Sequence, residues 1–203
     1  MKNKLKYIIL FVLVIAFILI TYLVKTDKII EFDNYIYNFL TNNSNENLTL
    51  FFRVITYLAN WQAIVLLCII SLIVIKNKWI GISISINSIF STIINKILKF
   101  IFIRPRPDVL KLIVQGGYSY PSGHAMASMS FYGYLIYLIN KSDFSKGKKI
   151  IFTIVLSTII LLVGMSRVYL GVHYASDIIS GYIVSIICMI IYVEITNKIK
   201  NHQ

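Results

Sequence analysis

The run Ser166-Arg167-Val168-Tyr169-Leu170-Gly171-Val172-His173-Tyr174-Ala175-Ser176-Asp177 places a guanidinium, an imidazole and a carboxylate at the junction of two apolar stretches. His173 and Asp177 stand four residues apart, a spacing that stacks two side chains on one face of a helix. A carboxylate one turn from an imidazole accepts a hydrogen bond from one ring nitrogen. The other nitrogen is then unprotonated, oriented and nucleophilic. Arg167, six residues upstream and beyond Gly171, can hold an anion in front of that nitrogen. The same residues also fit a buried ion pair or a capped helix start.

Two other clusters carry matching chemistry. Lys99 and Arg106 bracket the start of a loop, and Pro121-Ser122-Gly123-His124 stands directly before an apolar segment. Lys99, Arg106 and Arg167 are cations that do not titrate near neutral pH. Together they suit a phosphate, with bidentate contacts from arginine and a point charge from lysine. Ser122-Gly123 at a helix start adds a hydroxyl, free backbone N–H groups and the positive end of the helix dipole. Ser122 equally fits an ordinary helix cap. Carboxylates are too few around these positions for two-metal chemistry, Asp177 and at most Asp108 being near.

These residues sit in a lipid-embedded frame. The chain has 203 residues, of which 58% are hydrophobic and only 14% charged, with a mean hydropathy of +0.77. Apolar runs near twenty residues recur, the length that crosses roughly 30 Å of hydrocarbon as helix. The expected fold is all-α: one polytopic membrane domain over residues 1–203, a six-transmembrane-helix bundle with spans at about 5–24, 50–75, 79–103, 123–140, 150–165 and 176–195. The first span follows Lys2, Lys4 and Lys6 and has no small-residue cleavage site, so it reads as a retained helix. Ile29, Phe32, Ile36 and Phe39 recur at helical spacing and predict a short interfacial helix, an amphipathic connector in the polar, Asn-rich stretch 25–50. Asn42 and Asn47 begin N-x-S/T patterns, which matter only in a glycosylating host. Arg53, Asn60 and Gln62 make the start of the second span polar. In the third span Gly81, Ser85, Ser88, Thr92, Asn95 and Lys99 form one helical stripe, the small residues suiting close helix packing and Lys99 lying at its outer end. The prolines of Arg104-Pro105-Arg106-Pro107 stiffen the start of the 104–122 loop, and Gly116-Gly117 supplies a hinge. Lys96 and Arg104 are left outside the site, as anion attractors or interfacial anchors. Cys68 and Cys188 fall inside apolar segments and read as packing residues.

Charge distribution sets the topology. With the N-terminus inside, the cytoplasmic segments carry Lys2, Lys4, Lys6, Lys76, Lys78, Lys141, Lys146, Lys148, Lys149, Lys198 and Lys200, eleven of the twenty basic residues. This satisfies the positive-inside rule. The net charge of +12 is therefore largely topological, and a nucleic-acid partner is not implied. Both termini are expected in the cytoplasm, and Lys99, Arg106, the 121–124 turn and the 166–177 run on the non-cytoplasmic face of a cell membrane.

Lys99-x6-Arg106-Pro107, Pro121-Ser122-Gly123-His124 and Ser166-Arg167-x5-His173-x3-Asp177 together resemble the three-part signature of the type 2 phosphatidic acid phosphatase family, which shares its phosphate site with vanadium haloperoxidases. All three parts are complete and in order. The resemblance implies a membrane lipid phosphatase with a core like that of the acid phosphatases and haloperoxidases. By position, His173 is the nucleophile that becomes phosphohistidine, Asp177 fixes its tautomer, and His124 is the general acid and then base. Lys99, Arg106, Ser122, Gly123 and Arg167 bind the phosphoryl oxygens. No metal and no cofactor are implied. The partners are the bilayer and a lipid phosphate or diphosphate: phosphatidylglycerophosphate, undecaprenyl diphosphate or phosphatidate. No obligatory protein partner is evident. A haloperoxidase is disfavoured by the six spans. The alternative from another class is a non-catalytic membrane protein that binds or transports lipid phosphates, against which stands the complete set of both histidines and Asp177.

Overall fold

A computed structural model describes residues 2–201, with side chains from Lys4 to Lys198. Lys2 and Lys200, counted above among the cytoplasmic lysines, have side chains outside the described residues, as do residues 202–203. The described residues are all helical or loop, with no strand. The helices are α1 (Lys2–Lys25), α2 (Ile30–Thr41), α3 (Glu46–Tyr57), α4 (Trp61–Val74), α5 (Lys78–Phe102), α6 (Gly123–Ser128), α7 (Tyr134–Lys141), α8 (Lys146–Tyr169) and α9 (Ala175–Asn201). A π-helical turn, Met129–Gly133, joins α6 to α7 without a break.

α1, α5, α8 and α9 are each long and apolar enough to cross a membrane. The expected span at 50–75 is two helices, α3 and α4, bent by 49°, and counting that pair as one gives five. The break has a local cause. Asn60 takes an extended conformation and its side chain accepts a hydrogen bond from the Trp61 amide, so a new helix starts there. Asn45 and Asn77 cap α3 and α5 in the same way. The expected fourth span is the run α6–π turn–α7. Helix ends also move: α8 continues past Met165 to Tyr169, which puts Arg167 on its last turn, and α9 runs well past Ile195.

The α6–α7 run is the centre of the bundle, flanked by α5, α8 and α9, while α1 leans on α9, α3 on α8 and α4 on α5. Ile84, Phe131, Tyr132, Tyr134, Ile160 and Tyr192 form the main buried cluster. The faces turned away from it carry exposed Leu, Ile, Val and Phe, as a lipid-facing surface requires.

The predicted face of α5 is corrected, and that of α2 is resolved. On α5 the buried stripe is Gly81, Ile84, Asn87, Ser88, Ser91 and Asn95, whereas Thr92 is exposed. Asn87 and Ser91 come inside because the neighbouring helices cover that side, Ser91 meeting the Ser185 hydroxyl of α9. Asn87 donates to the Ser130 carbonyl within the π turn. On α2 the outward positions are Phe32 and Phe39, and the inward ones are Asp33, Ile36, Tyr37 and Leu40. The periodic set is thus divided, Ile36 packing inward and Phe32 and Phe39 facing out.

Candidate active site

The Arg167–Asp177 run is a helix ending followed at once by a helix beginning. Gly171 has φ +70°, and its N–H reaches the Val168 carbonyl while that of Val172 reaches the Arg167 carbonyl. These two bonds make a Schellman ending to α8, in which glycine takes the left-handed position. His173 N–H also points to the Arg167 carbonyl, at 3.2 Å. Tyr174 then stands before α9 with its amide donating to Asp177 Oδ2 at 3.0 Å, and the Asp177 amide returns to the Tyr174 carbonyl. Asp177 thus supplies the carboxylate half of a capping box, while the Tyr174 carbonyl stands in for a side-chain cap.

The expectation that His173 and Asp177 share a helix face is therefore corrected. His173 lies in the turn before α9, and Asp177 is in the first turn of α9. They still meet, with Nδ1 and Oδ2 3.2 Å apart. The same carboxylate both caps the helix and holds the imidazole.

Around this turn the polar elements converge. Arg106 Nη1 lies 3.2 Å from His173 Nε2. A guanidinium can only donate, so Nε2 carries the lone pair and Nδ1 carries the hydrogen. Arg106 also donates to the carbonyls of Val172 at 2.6 Å, Gly116 at 2.8 Å and Gly117 at 3.0 Å. Lys99 Nζ donates to the carbonyls of Tyr118 and Ser119. Arg167 is only 1% exposed. It donates through Nη1 to Thr56 Oγ1 and through Nη2 to Gln115 Oε1, each at 2.7 Å. Its Nε has no hydrogen-bond partner among the described residues. The positive fields of Arg167, Arg106 and Lys99 all act on His124.

Ser122 and Gly123 open α6. The Ser122 hydroxyl accepts from the Ala125 amide at 3.4 Å, the capping role, and the Ser122 amide donates to the Asp177 carbonyl at 3.1 Å. A Cβ on Gly123 would lie 3.2 Å from Asn95 Oδ1. Asn95 itself donates to the Pro121 carbonyl at 3.1 Å, so α5 and the start of α6 are tied together.

Several supporting residues were not in the predicted set. Ser119 donates its hydroxyl to Asp177 Oδ2 and lies 3.2 Å from His173 Nδ1. Arg104 donates to Asp177 Oδ1 at 2.6 Å, to Ser176 Oγ at 2.8 Å and to Asp33 Oδ2 at 2.9 Å. Its guanidinium stacks 3.9 Å above the Tyr174 ring. Asp33, 1% exposed, further accepts from the Ser176 amide at 2.8 Å and the Ser176 hydroxyl at 2.7 Å. α2 thus caps α9 from outside.

Burial drives the His173 imidazole down to about 3, with Asp177 only partly opposing it, so it is neutral across the physiological range. Burial also lowers Arg106 below its ordinary value. For Arg104, burial acts downward but the charges of Asp177 and Asp33 outweigh it and raise the group.

Beside the cationic cup lies a cavity of about 890 Å³ between α4 and α5, lined by apolar side chains such as Ile64, Ile69, Leu72 and Ile93 and reaching Gln115, Gly123 and His124. The arrangement can place an apolar chain in the cavity and an anion among Lys99, Arg106 and Arg167, facing the lone pair of His173.

The chain is similar to known proteins in sequence and in fold. The chain is 32% identical over 130 residues to phosphatidylglycerophosphatase B of Bacillus subtilis (strain 168), covering 63% of this chain and 64% of that protein, so it spans just under two thirds of that relative's length. Its fold is similar to a crystal structure of the transmembrane PAP2-type phosphatidylglycerolphosphate phosphatase from Bacillus subtilis, with a TM-score of 0.85 and 26% identity over 96% of this chain and 98% of the other. Aquifex aeolicus LpxE is similar with a TM-score of 0.66 and 26% identity, over 79% of this chain and 93% of the other. Residues 78–200, which contain Lys99, Arg106, His124, Arg167, His173 and Asp177, match the model of the PAP2 superfamily, and the chain belongs to that superfamily.

Proposed function

We infer that the protein is a lipid phosphatase of the cell membrane, hydrolysing the terminal phosphoryl group of a lipid phosphate or diphosphate on the non-cytoplasmic face. The observation that carries this reading is His173: neutral, with Nδ1 engaged by Asp177 and the Nε2 lone pair directed into a cup of three cations. Superfamily membership and likeness in sequence and fold to the Bacillus subtilis phosphatidylglycerophosphate phosphatase support phosphatidylglycerophosphate as first substrate. Undecaprenyl diphosphate and phosphatidate present the same phosphoryl group. The cavity between α4 and α5 suits a tail that arrives sideways from the bilayer.

In the proposed reaction His173 Nε2 attacks phosphorus, and the bond from phosphorus to the lipid oxygen breaks. His124 gives a proton to that leaving oxygen. Water then loses a proton to His124 and attacks phosphorus, the P–N bond breaks, and phosphate leaves. Lys99, Arg106, Arg167, the Ser122 hydroxyl and the Gly123 amide offset charge on the phosphoryl oxygens throughout. Arg106 must yield its contact with Nε2 for attack to begin, and an incoming phosphoryl oxygen is a stronger acceptor for that guanidinium.

Detergent-solubilised protein assayed against a panel of lipid phosphates and diphosphates tests the reading. Phosphate release that persists in EDTA and disappears in His173→Ala is expected. Unchanged release in that variant removes the nucleophile, and no release from any lipid by the unsubstituted protein removes the enzyme.

A further inference from the structure

Five consecutive residues, 115–119, satisfy the cations of the cup with their own oxygens. Gln115 Oε1 takes Arg167, the Gly116 and Gly117 carbonyls take Arg106, the Tyr118 carbonyl takes Arg106 and Lys99, and the Ser119 carbonyl takes Lys99. Of these oxygens only that of Gln115 belongs to a side chain. Gln115 sits on an exposed stretch of loop and also lines the cavity beside His124. It precedes two glycines around which an added Cβ meets nothing within 4 Å.

The two partners of Arg167 are unlike each other. Thr56 is buried on α3 and fixed by helix packing. Gln115 is held by one hydrogen bond on a loop, so it is the exchangeable one. The unpartnered Arg167 Nε lies on the same planar group. A phosphoryl group that takes Nη2 from Gln115 gains that second N–H as well, the paired geometry in which a guanidinium binds phosphate best.

Resting on the reading of Arg167 as a phosphate ligand, we propose that Gln115 is a substrate-exchanged stand-in: its amide oxygen occupies the Arg167 position of a phosphoryl oxygen until substrate displaces it, and the strength of that contact sets phosphate affinity. Gln115 is then an affinity-setting residue for the phosphoryl group. A neutral amide is a weak enough competitor to be displaced by a phosphate dianion, whereas a carboxylate in its place is not. The displaced amide remains at the mouth of the cavity, with its NH₂ able to meet polar groups beside the leaving oxygen.

Binding of inorganic phosphate to the full-length detergent-solubilised protein, measured by calorimetry, tests this in Gln115→Ala and Gln115→Glu. Removing the competing oxygen is expected to tighten phosphate binding about three- to tenfold in Gln115→Ala. Gln115→Glu is expected to weaken it by about tenfold or more. In turnover both changes belong in KM, with kcat altered by less than about twofold. A strut that only shapes the loop cannot shift the two variants in opposite directions. Phosphate affinity that is unchanged or weaker in Gln115→Ala overturns the proposal. Failure of the unsubstituted protein to bind phosphate instead overturns the site reading itself, so the two failures are distinct.

Discussion

Asp177 has four jobs at once: it accepts from His173, Ser119, Arg104 and the Tyr174 amide. A buried carboxylate so fully engaged holds one orientation, and the histidine tautomer follows from it. Arg104 is the counter-charge, bridging Asp177 to Asp33. Replacing Arg104 with Met leaves two buried carboxylates unpaired, and removing one partner of such a pair costs about 3–5 kcal/mol. Arg104→Met is therefore expected to lower the melting temperature and abolish turnover. The double variant Arg104→Met/Asp33→Asn should recover part of the stability, which thermal denaturation reads directly. His173 sets a pH dependence. Its folded-state value near 3 lies below its ordinary 6.5, so the unfolded chain binds the proton first. Stability that is complete above about pH 6.5 falls as pH drops toward 3. His173→Asn should flatten that loss in melting curves taken from pH 7 to pH 4. The sequence made His173, Asp177, Arg167, Lys99 and Arg106 visible because their types and spacings are unusual among apolar runs. It hid Asp33, Arg104 and Ser119 because their roles depend on which loop folds against which helix. A signal for Asp33 was nonetheless present: it shares a helical face with Ile36, Tyr37 and Leu40, and an acid on the apolar side of a helix needs a partner.

The Arg167-x5-His173-x3-Asp177 spacing is the spacing of two helix termini placed back to back. Arg167 stands three residues before the α8 cap, Gly171 reverses the chain, and Asp177 is the third residue of α9. Gly171 is the point on which this depends. Its left-handed conformation costs any residue with a Cβ about 1–2 kcal/mol, and a Cβ there would also lie 2.4 Å from the Leu110 carbonyl oxygen. Gly171→Ala should lower the melting temperature and cut kcat/KM by far more than the stability loss explains, because His173 is two residues away. An alanine variant of normal activity would show that the turn is not what sets the imidazole. Periodicity located these helices, but not their joints. Arg53, Asn60 and Gln62 marked a polar start to one span but not that Asn60 caps a second helix, and the π turn at Met129–Gly133 has a carbonyl held by Asn87 from another helix. The first is a local cap that hydrophobic periodicity does not register, and the second depends on what packs alongside.

At the scale of the molecule, lysines and apolar lengths made the helical membrane bundle legible, while the side of the membrane is still a proposal. With Cys68 and Cys188 replaced, a cysteine at the fully exposed Val114 should react with an impermeant maleimide on intact cells. One at Ser145 should react only after permeabilisation, and the reverse pattern places the cup inside. The cavity between α4 and α5 gives a second whole-molecule prediction. Thr92 lines it from α5, and Thr92→Trp should raise KM for a long-chain lipid phosphate several-fold. Its effect on a short-chain soluble phosphoester should be small, and equal effects on both would argue against the tail route.

The superfamily match begins at residue 78, yet side chains from before that point close hydrogen bonds beyond it, three of them onto the site and its loop. Thr21 meets the Tyr120 hydroxyl, Asp33 meets Arg104, and Thr56 meets Arg167. A chimera that grafts the matched portion onto another relative's leading third inherits every motif and loses these acceptors. Transplants of this kind should work only where the recipient offers hydroxyls and a carboxylate in register, so compatibility between halves, rather than motif content, decides which exchanges yield a working protein.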